Sequence, residues 1–76
     1  MLSTAMVRTL RLMDEENEVA AGRGPAVTTV DMLVTEGLAT WTIAPRKQDY
    51  TLPNGRVVAR LDWAAEITTA GLKEIQ

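Results

Sequence analysis

Residues 28–41, TTVDMLVTEGLATW, combine the pattern of a short helix, a glycine stop and the start of a strand. Gly37 stands where a helix needs a residue in the left-handed conformation in order to end. Around it, apolar residues recur at the spacing that gathers side chains on one helical face, namely Val30, Leu33, Val34 and Leu38. The stretch therefore predicts a short helix, with Thr28 as its N-cap, that ends at Gly37 and packs its apolar face on another helix.

A strand is predicted directly after this helix, over residues 39–44. One set of residues, Ala39, Trp41 and Ile43, alternates there with Thr40, Thr42 and Ala44, which is the period of a half-buried strand. The next residues contain a proline followed by two basic residues. They predict a turn at Pro45, Arg46 and Lys47.

A second turn signal is the pair Asn54 and Gly55, because both residues tolerate a positive φ and so favour a tight hairpin. After it, a run of alternating residues places an apolar set on one side of a strand, namely Val57, Ala59, Leu61 and Trp63. The opposite side is mostly charged. The sequence therefore predicts an antiparallel hairpin closed by an Asn-Gly turn.

The two ends of the chain predict further helices. Residues 3–17 fit a helix capped by Ser3 or Thr4, although its acidic end favours an earlier stop near Asp14. Residues 19–21 lie in a glycine-rich connector and fit either a short extended piece or a single helical turn. Thr68 and Thr69 open a last short helix. The predicted fold class is α+β: one domain over residues 1–76, with two to three helices packed on a two- or three-stranded antiparallel sheet.

Composition limits the possible functions. The chain has 76 residues, of which 46% are hydrophobic and 24% charged, so we expect one domain, and a chain this small favours a homodimer. Without cysteine or histidine it lacks disulfides, thiolate chemistry, most zinc sites and the usual general base. No apolar run approaches the roughly 20 residues of a membrane helix, and Arg8 and Arg11 interrupt the apolar start. We therefore expect a cytoplasmic protein without a membrane segment.

The charges are unevenly distributed. The net charge of −2 argues weakly against a strong attraction to nucleic acid that ignores sequence. However, four basic residues fall in one short span, namely Arg46, Lys47, Arg56 and Arg60. They could contact phosphate, or they could keep exposed strands soluble and unpaired, and the sequence favours the two equally.

No set of residues suggests catalysis. An acidic cluster, Asp14, Glu15, Glu16 and Glu18, lacks the spacing of a calcium loop and is interpreted as a solvated face. Trp41 and Trp63 could stack on bases, but in alternating strands they are better explained as core residues. We therefore expect no enzyme, no catalytic residue, no metal site and no cofactor.

Two short motifs resemble parts of a winged helix-turn-helix domain. Residues 30–38, VDMLVTEGL, look like the end of a recognition helix entering the first wing strand, and residues 67–72, ITTAGL, look like the step that follows the wing. Regulators of the multiple-antibiotic-resistance repressor type and small phage or bacterial winged-helix proteins are similar here. Residues 46–60 would be the wing. The resemblance implies a DNA-binding transcriptional regulator that contacts duplex DNA through Thr28, Thr29 and the basic residues Arg46, Lys47, Arg56 and Arg60.

A different class of function is also open. The predicted outer face of the central helix carries Asp31 and Glu36, and acidic side chains facing phosphates are unfavourable. It offers no arginine or lysine to bind guanine edges. The chain could therefore be a winged-helix protein-interaction module that binds a protein partner. If it binds DNA, we expect the basic hairpin to contribute more than the helix.

Overall fold

The first helix, α1, spans Thr4–Glu16 in the computed structural model, which describes residues 2–76. The Ser3 hydroxyl caps it by accepting a hydrogen bond from the Met6 amide at 3.1 Å. The helix ends at Asn17, whose φ of 67° is left-handed, so it does not stop early at Asp14. Its buried face consists of Met6, Thr9, Leu10 and Met13.

The central helix, α2, spans Val27–Thr35, and its end confirms the prediction at Gly37. Gly37 has a φ of 77°, and its amide donates to the Val34 carbonyl at 3.0 Å. The Leu38 amide donates to the Leu33 carbonyl at 2.9 Å. These two bonds satisfy carbonyls that the helix end would leave unpaired and fold Leu38 back onto the core.

The predicted N-cap of α2 is wrong. The helix begins two residues earlier than an N-cap at Thr28 predicts, because Ala26 is the extended residue whose carbonyl accepts the first helical bond, from the Val30 amide at 3.2 Å. Thr28 already has helical backbone, so its hydroxyl cannot occupy the N-cap position. Ala26 has no side-chain oxygen, and α2 therefore starts without a side-chain cap.

Three strands form one antiparallel sheet. They are β1 (Val19–Ala20), β2 (Ala39–Thr51) and β3 (Val57–Ile67), and β3 lies between the other two. The structure thus assigns an extended conformation, and not a helical turn, to the first part of the glycine-rich connector. Val19 lies opposite Ala65, and Ala20 opposite Ala64.

The turn predicted at Pro45, Arg46 and Lys47 is absent, because β2 continues through these residues to Thr51. The register with β3 shifts twice, between Trp41 and Ile43 and between Ile43 and Arg46. Such bulges accommodate extra residues in one strand, and they tolerate a proline that has no amide hydrogen to donate. β2 is also an edge strand, so Pro45 interrupts no second ladder.

The chain reverses between β2 and β3 over residues 52–56. The Gly55 amide donates to the Leu52 carbonyl at 2.9 Å, and the Leu52 amide donates to the Arg56 carbonyl at 2.7 Å. Gly55 has a φ of 84°, whereas Asn54 does not have a positive φ, so the turn is not one in which both residues of the Asn-Gly pair are left-handed. Asn54 accepts a hydrogen bond from the Arg56 amide at 3.0 Å instead. This pattern is typical of a type I turn followed by a left-handed glycine.

The last helix, α3 (Thr69–Ile75), is joined to the end of α2 through Thr68. The Thr68 hydroxyl accepts from the Gly71 amide at 3.1 Å and donates to the Gly37 carbonyl at 2.8 Å. The Thr68 amide donates to the Leu38 carbonyl at 3.1 Å. Thr68 therefore caps α3 and also joins it to Gly37, the glycine at the end of α2.

The core lies where the three helices cover one face of the sheet. Trp63 is 3% exposed, and Trp41 is half-buried against it in an edge-to-face contact with ring centroids 5.9 Å apart. Trp63 is thus a core residue, as predicted, whereas Trp41 is only partly buried and packs against the core. The described residues confirm the α+β class, with three helices and a three-stranded antiparallel sheet. Within them, no helix has both the length and the apolar character needed to cross a bilayer.

Candidate nucleic-acid interface

The distal parts of β2 and β3 project from the core as a two-stranded ribbon. We use "the ribbon" for residues 46–62, where the two strands pair beyond the bulges of β2 and are joined by the turn. The molecule measures 48 × 20 × 19 Å, and its length is more than twice its other dimensions. Most residues of the ribbon are exposed.

The register assigns each ribbon residue to one of two faces, because residues directly opposite each other in antiparallel strands point to the same side. The arginine face contains three opposed pairs: Arg46 and Asp62, Gln48 and Arg60, and Tyr50 and Val58. Arg56 directly precedes β3, and its carbonyl accepts from the Leu52 amide, so we infer that the alternation extends by one residue and places Arg56 on the same face. The apolar face contains the other three pairs: Lys47 and Leu61, Asp49 and Ala59, and Thr51 and Val57.

The ribbon therefore separates basic residues that the sequence places side by side. Arg46, Arg56 and Arg60 share one face, whereas Lys47 lies on the opposite face together with Asp49. All four basic side chains are exposed. With Asp62 included, the arginine face has a net charge of about +2 and the apolar face a net charge of about zero.

Tyr50 contacts two other residues of the arginine face, Arg60 and Gln48, which the sequence alone did not indicate. The Arg60 guanidinium carbon lies 5.7 Å from the centroid of the Tyr50 ring, which is within the range of a cation–π contact. The Tyr50 hydroxyl donates to Gln48 Oε1 at 3.1 Å. The sequence shows only that Gln48 and Tyr50 are two residues apart and so lie on the same side of a strand. The contact of Tyr50 with Arg60 can be inferred only when the register with β3 is known.

Thr28 and Thr29 do not belong to the ribbon. Both lie in the first turn of α2, where Thr28 is exposed and Thr29 is half-buried. The structure thus divides the predicted contact residues between two elements, with the basic side chains on one and the hydroxyls on the other.

The outer face of α2 is acidic, as predicted. Asp31 and Glu36 are exposed, and between them Met32 is 53% exposed. The Thr35 hydroxyl is occupied locally, because it donates to the Asp31 carbonyl at 2.9 Å. This face presents carboxylates and one apolar side chain, which does not suit the phosphate backbone.

The acidic cluster at the end of α1 is exposed at all four carboxylates, Asp14, Glu15, Glu16 and Glu18. Glu18 accepts a hydrogen bond from the Thr42 hydroxyl at 2.7 Å, which links the connector to the base of β2. Within residues 2–76, no three acidic side chains come close enough together to hold a metal ion.

Comparison of the chain with protein-family models, curated proteins and solved structures finds no match. The functional proposal is therefore based on the residues and their geometry.

Proposed function

We propose that this protein is a small cytoplasmic DNA-binding protein of winged-helix type that acts as a transcriptional regulator. Three helices with a three-stranded antiparallel sheet are compatible with a winged-helix-like fold. In that reading α2 is the recognition helix and the ribbon is the wing. Within residues 2–76, the segment between α1 and α2 contains the two-residue β1 and no helix, so it lacks the second helix of a full helix-turn-helix.

The observation that carries the proposal is that Arg46 and Arg60 share one face of a projecting ribbon, with Arg56 just before β3 in the same alternation. Arginines neutralise phosphates and release condensed counterions, which is the main source of affinity for duplex DNA. Arg56 and Arg60 are four residues apart and therefore about 14 Å apart along the strand, far enough to contact different phosphates. Arg46 lies opposite Asp62, which offsets part of its charge.

The test is fluorescence anisotropy of a labelled random duplex over a salt series. We expect the logarithm of the affinity to fall linearly with the logarithm of salt concentration, with a slope of about −2 to −3 for two or three phosphate contacts. Arg56→Ala and Arg60→Ala should each make the slope shallower by about 1 and weaken binding about fivefold at about 50 mM salt.

The matched control is Lys47→Ala, which removes the same charge from the same ribbon but from the opposite face. It should weaken binding less than either arginine substitution. Equal effects of all three would indicate a diffuse attraction to the whole ribbon and contradict an arginine-face contact. If the protein shows no binding at about 50 mM salt and tens of micromolar concentration, the DNA proposal fails.

A second candidate function is a protein-interaction module of the same fold, in which the outer face of α2 binds a basic protein partner. It is favoured by the exposed Met32 between Asp31 and Glu36, since an apolar side chain within an acidic surface suits a basic, amphipathic partner segment. Failure of the DNA titration, with the fold intact, would favour this function.

A further inference from the structure

The apolar face of the ribbon has no partner within the described chain. Val57 is 62% exposed and Leu61 is 42% exposed, and Ala59 between them is also exposed. The same row of β3 continues inward to Trp63 and Ala65, which are buried beneath the helices. The ribbon therefore extends the core-facing side of the sheet beyond the helices that cover it.

A two-stranded ribbon with both faces in water is marginally stable, because it has neither a third strand nor a packed face. β1 adds a third strand only at Ala64 and Ala65, which lie outside the ribbon. A row of exposed apolar residues on a projecting element is typical of a surface that is covered in the functional state. The charges beside that row indicate what covers it.

We propose that the apolar face binds the same face of a second copy of this chain around a two-fold axis. Lys47 and Asp49 flank the apolar row and lie two residues apart, about 7 Å along the strand. When two such faces meet antiparallel, each Lys47 faces Asp49 of the partner subunit, and both pairs are attractive. The face is thus complementary to itself in charge as well as in apolar surface.

The opposite face cannot form the same contact. Three arginines and one aspartate give it a net charge of about +2, so two copies of it would repel each other. Pairing through the apolar face leaves the arginine face exposed on both copies. The dimer therefore does not depend on DNA binding, and either can fail without the other.

Sedimentation equilibrium of the full chain, from about 1 to 500 µM, tests the proposal over the range in which interfaces of modest area associate. We expect a monomer–dimer equilibrium, and we expect Leu61→Glu to remove the dimer from this range. The matched control is Ile43→Glu. Ile43 is 41% exposed, almost the same as Leu61, but it pairs with Ala64 on the other side of the sheet, so the dimer should persist.

The dissociation constants of charge variants test the two-fold contact more specifically than Leu61→Glu does. Lys47→Glu and Asp49→Lys should each raise the dimer dissociation constant about tenfold, because each places like charges opposite one another at two symmetric sites. A mixture of the two single variants should form heterodimers at least as tightly as the native chain, since one copy then carries two acidic residues and the other two basic residues. This readout remains valid if Leu61→Glu fails to fold.

Three results would each overturn the proposal: a monomer at every concentration, a dimer that survives Leu61→Glu in a folded protein, or a mixture of charge variants that associates no better than either variant alone. A monomeric protein whose ribbon is instead protected by an unrelated protein would indicate a different occupant and also refute self-association.

Discussion

At the scale of single residues, Gly71 and Thr68 connect parts of the chain that are distant in sequence. Thr68 caps α3 and also donates to the carbonyl of Gly37, the residue that ends α2. A Cβ on Gly71 would collide with the carbonyl oxygen of Leu38 and lie 2.7 Å from Ile67 Cγ1. The absence of a side chain at Gly71 therefore allows α3 to approach the end of α2 closely enough for the hydrogen bonds of Thr68.

We predict that Gly71→Ala lowers the free energy of unfolding by about 2 kcal/mol, because the new methyl group meets backbone that cannot move without breaking the bonds of Thr68. Urea denaturation measures this change. At an exposed helix position a glycine-to-alanine substitution would raise the free energy of unfolding by about 1 kcal/mol. The sign of the change therefore distinguishes a crowded Gly71 from an exposed one. Ala70→Gly, at the exposed neighbouring position, should cost no more than about 1 kcal/mol.

At the scale of elements, the two longer helices differ in how they begin. Ser3 caps α1 through its hydroxyl, whereas Ala26 supplies only backbone to the start of α2. Ala26 is exposed and already has the extended backbone of an N-cap, with φ −74° and ψ 140°. Because α2 has only nine residues, most of its stability must come from packing Val30 and Leu33 into the core.

Because α2 lacks a side-chain cap and α1 has one, substitutions at the two N-cap positions should change stability in opposite directions. Ala26→Ser should stabilise the protein by about 1 kcal/mol, because the new hydroxyl can accept a bond from an unpaired amide of the first turn, and Ser3→Ala should destabilise it by about the same amount. Thermal and urea unfolding measure both. Thr28→Ala is the control and should change stability little, since Thr28 is not the cap. A loss of about 1 kcal/mol on Thr28→Ala would contradict the observed start of α2.

At the scale of the whole molecule, the distribution of charge matters more than its sum. The chain has a net charge of −2, yet one face of the ribbon is positive. The acidic residues lie mainly elsewhere, at the end of α1 and on the outer face of α2. A polyanion approaching the ribbon would meet arginines, whereas one approaching α2 would meet carboxylates.

This polarity predicts that Asp62→Asn strengthens DNA binding about threefold at about 50 mM salt, because it removes the one carboxylate from the arginine face, at the position opposite Arg46. Asp14→Asn changes the net charge by the same amount at the far end of α1 and should have little effect. Anisotropy with the same duplex compares the two variants. If both strengthen binding equally, net charge and not the arginine face controls affinity.

The local elements follow from the sequence without any tertiary information. The apolar spacing of α2, the glycine stop at Gly37 and the helical face of α1 are consequences of side-chain periodicity and backbone preference within a few residues. The burial of Trp63 also followed from its place in an alternating strand. These features needed no knowledge of distant neighbours.

Three features depend on the folded chain: the path of β2 through Pro45, the face that each ribbon residue occupies, and the hydrogen bond from Thr68 to Gly37. Each depends on pairing between segments far apart in sequence. The second of the two bulges in β2 spans Pro45, and because side chains alternate, the register with β3 decides which residues share a face. For that reason the sequence grouped Arg46 with Lys47, whereas the fold separates them and joins Arg46 to Arg60 and Tyr50.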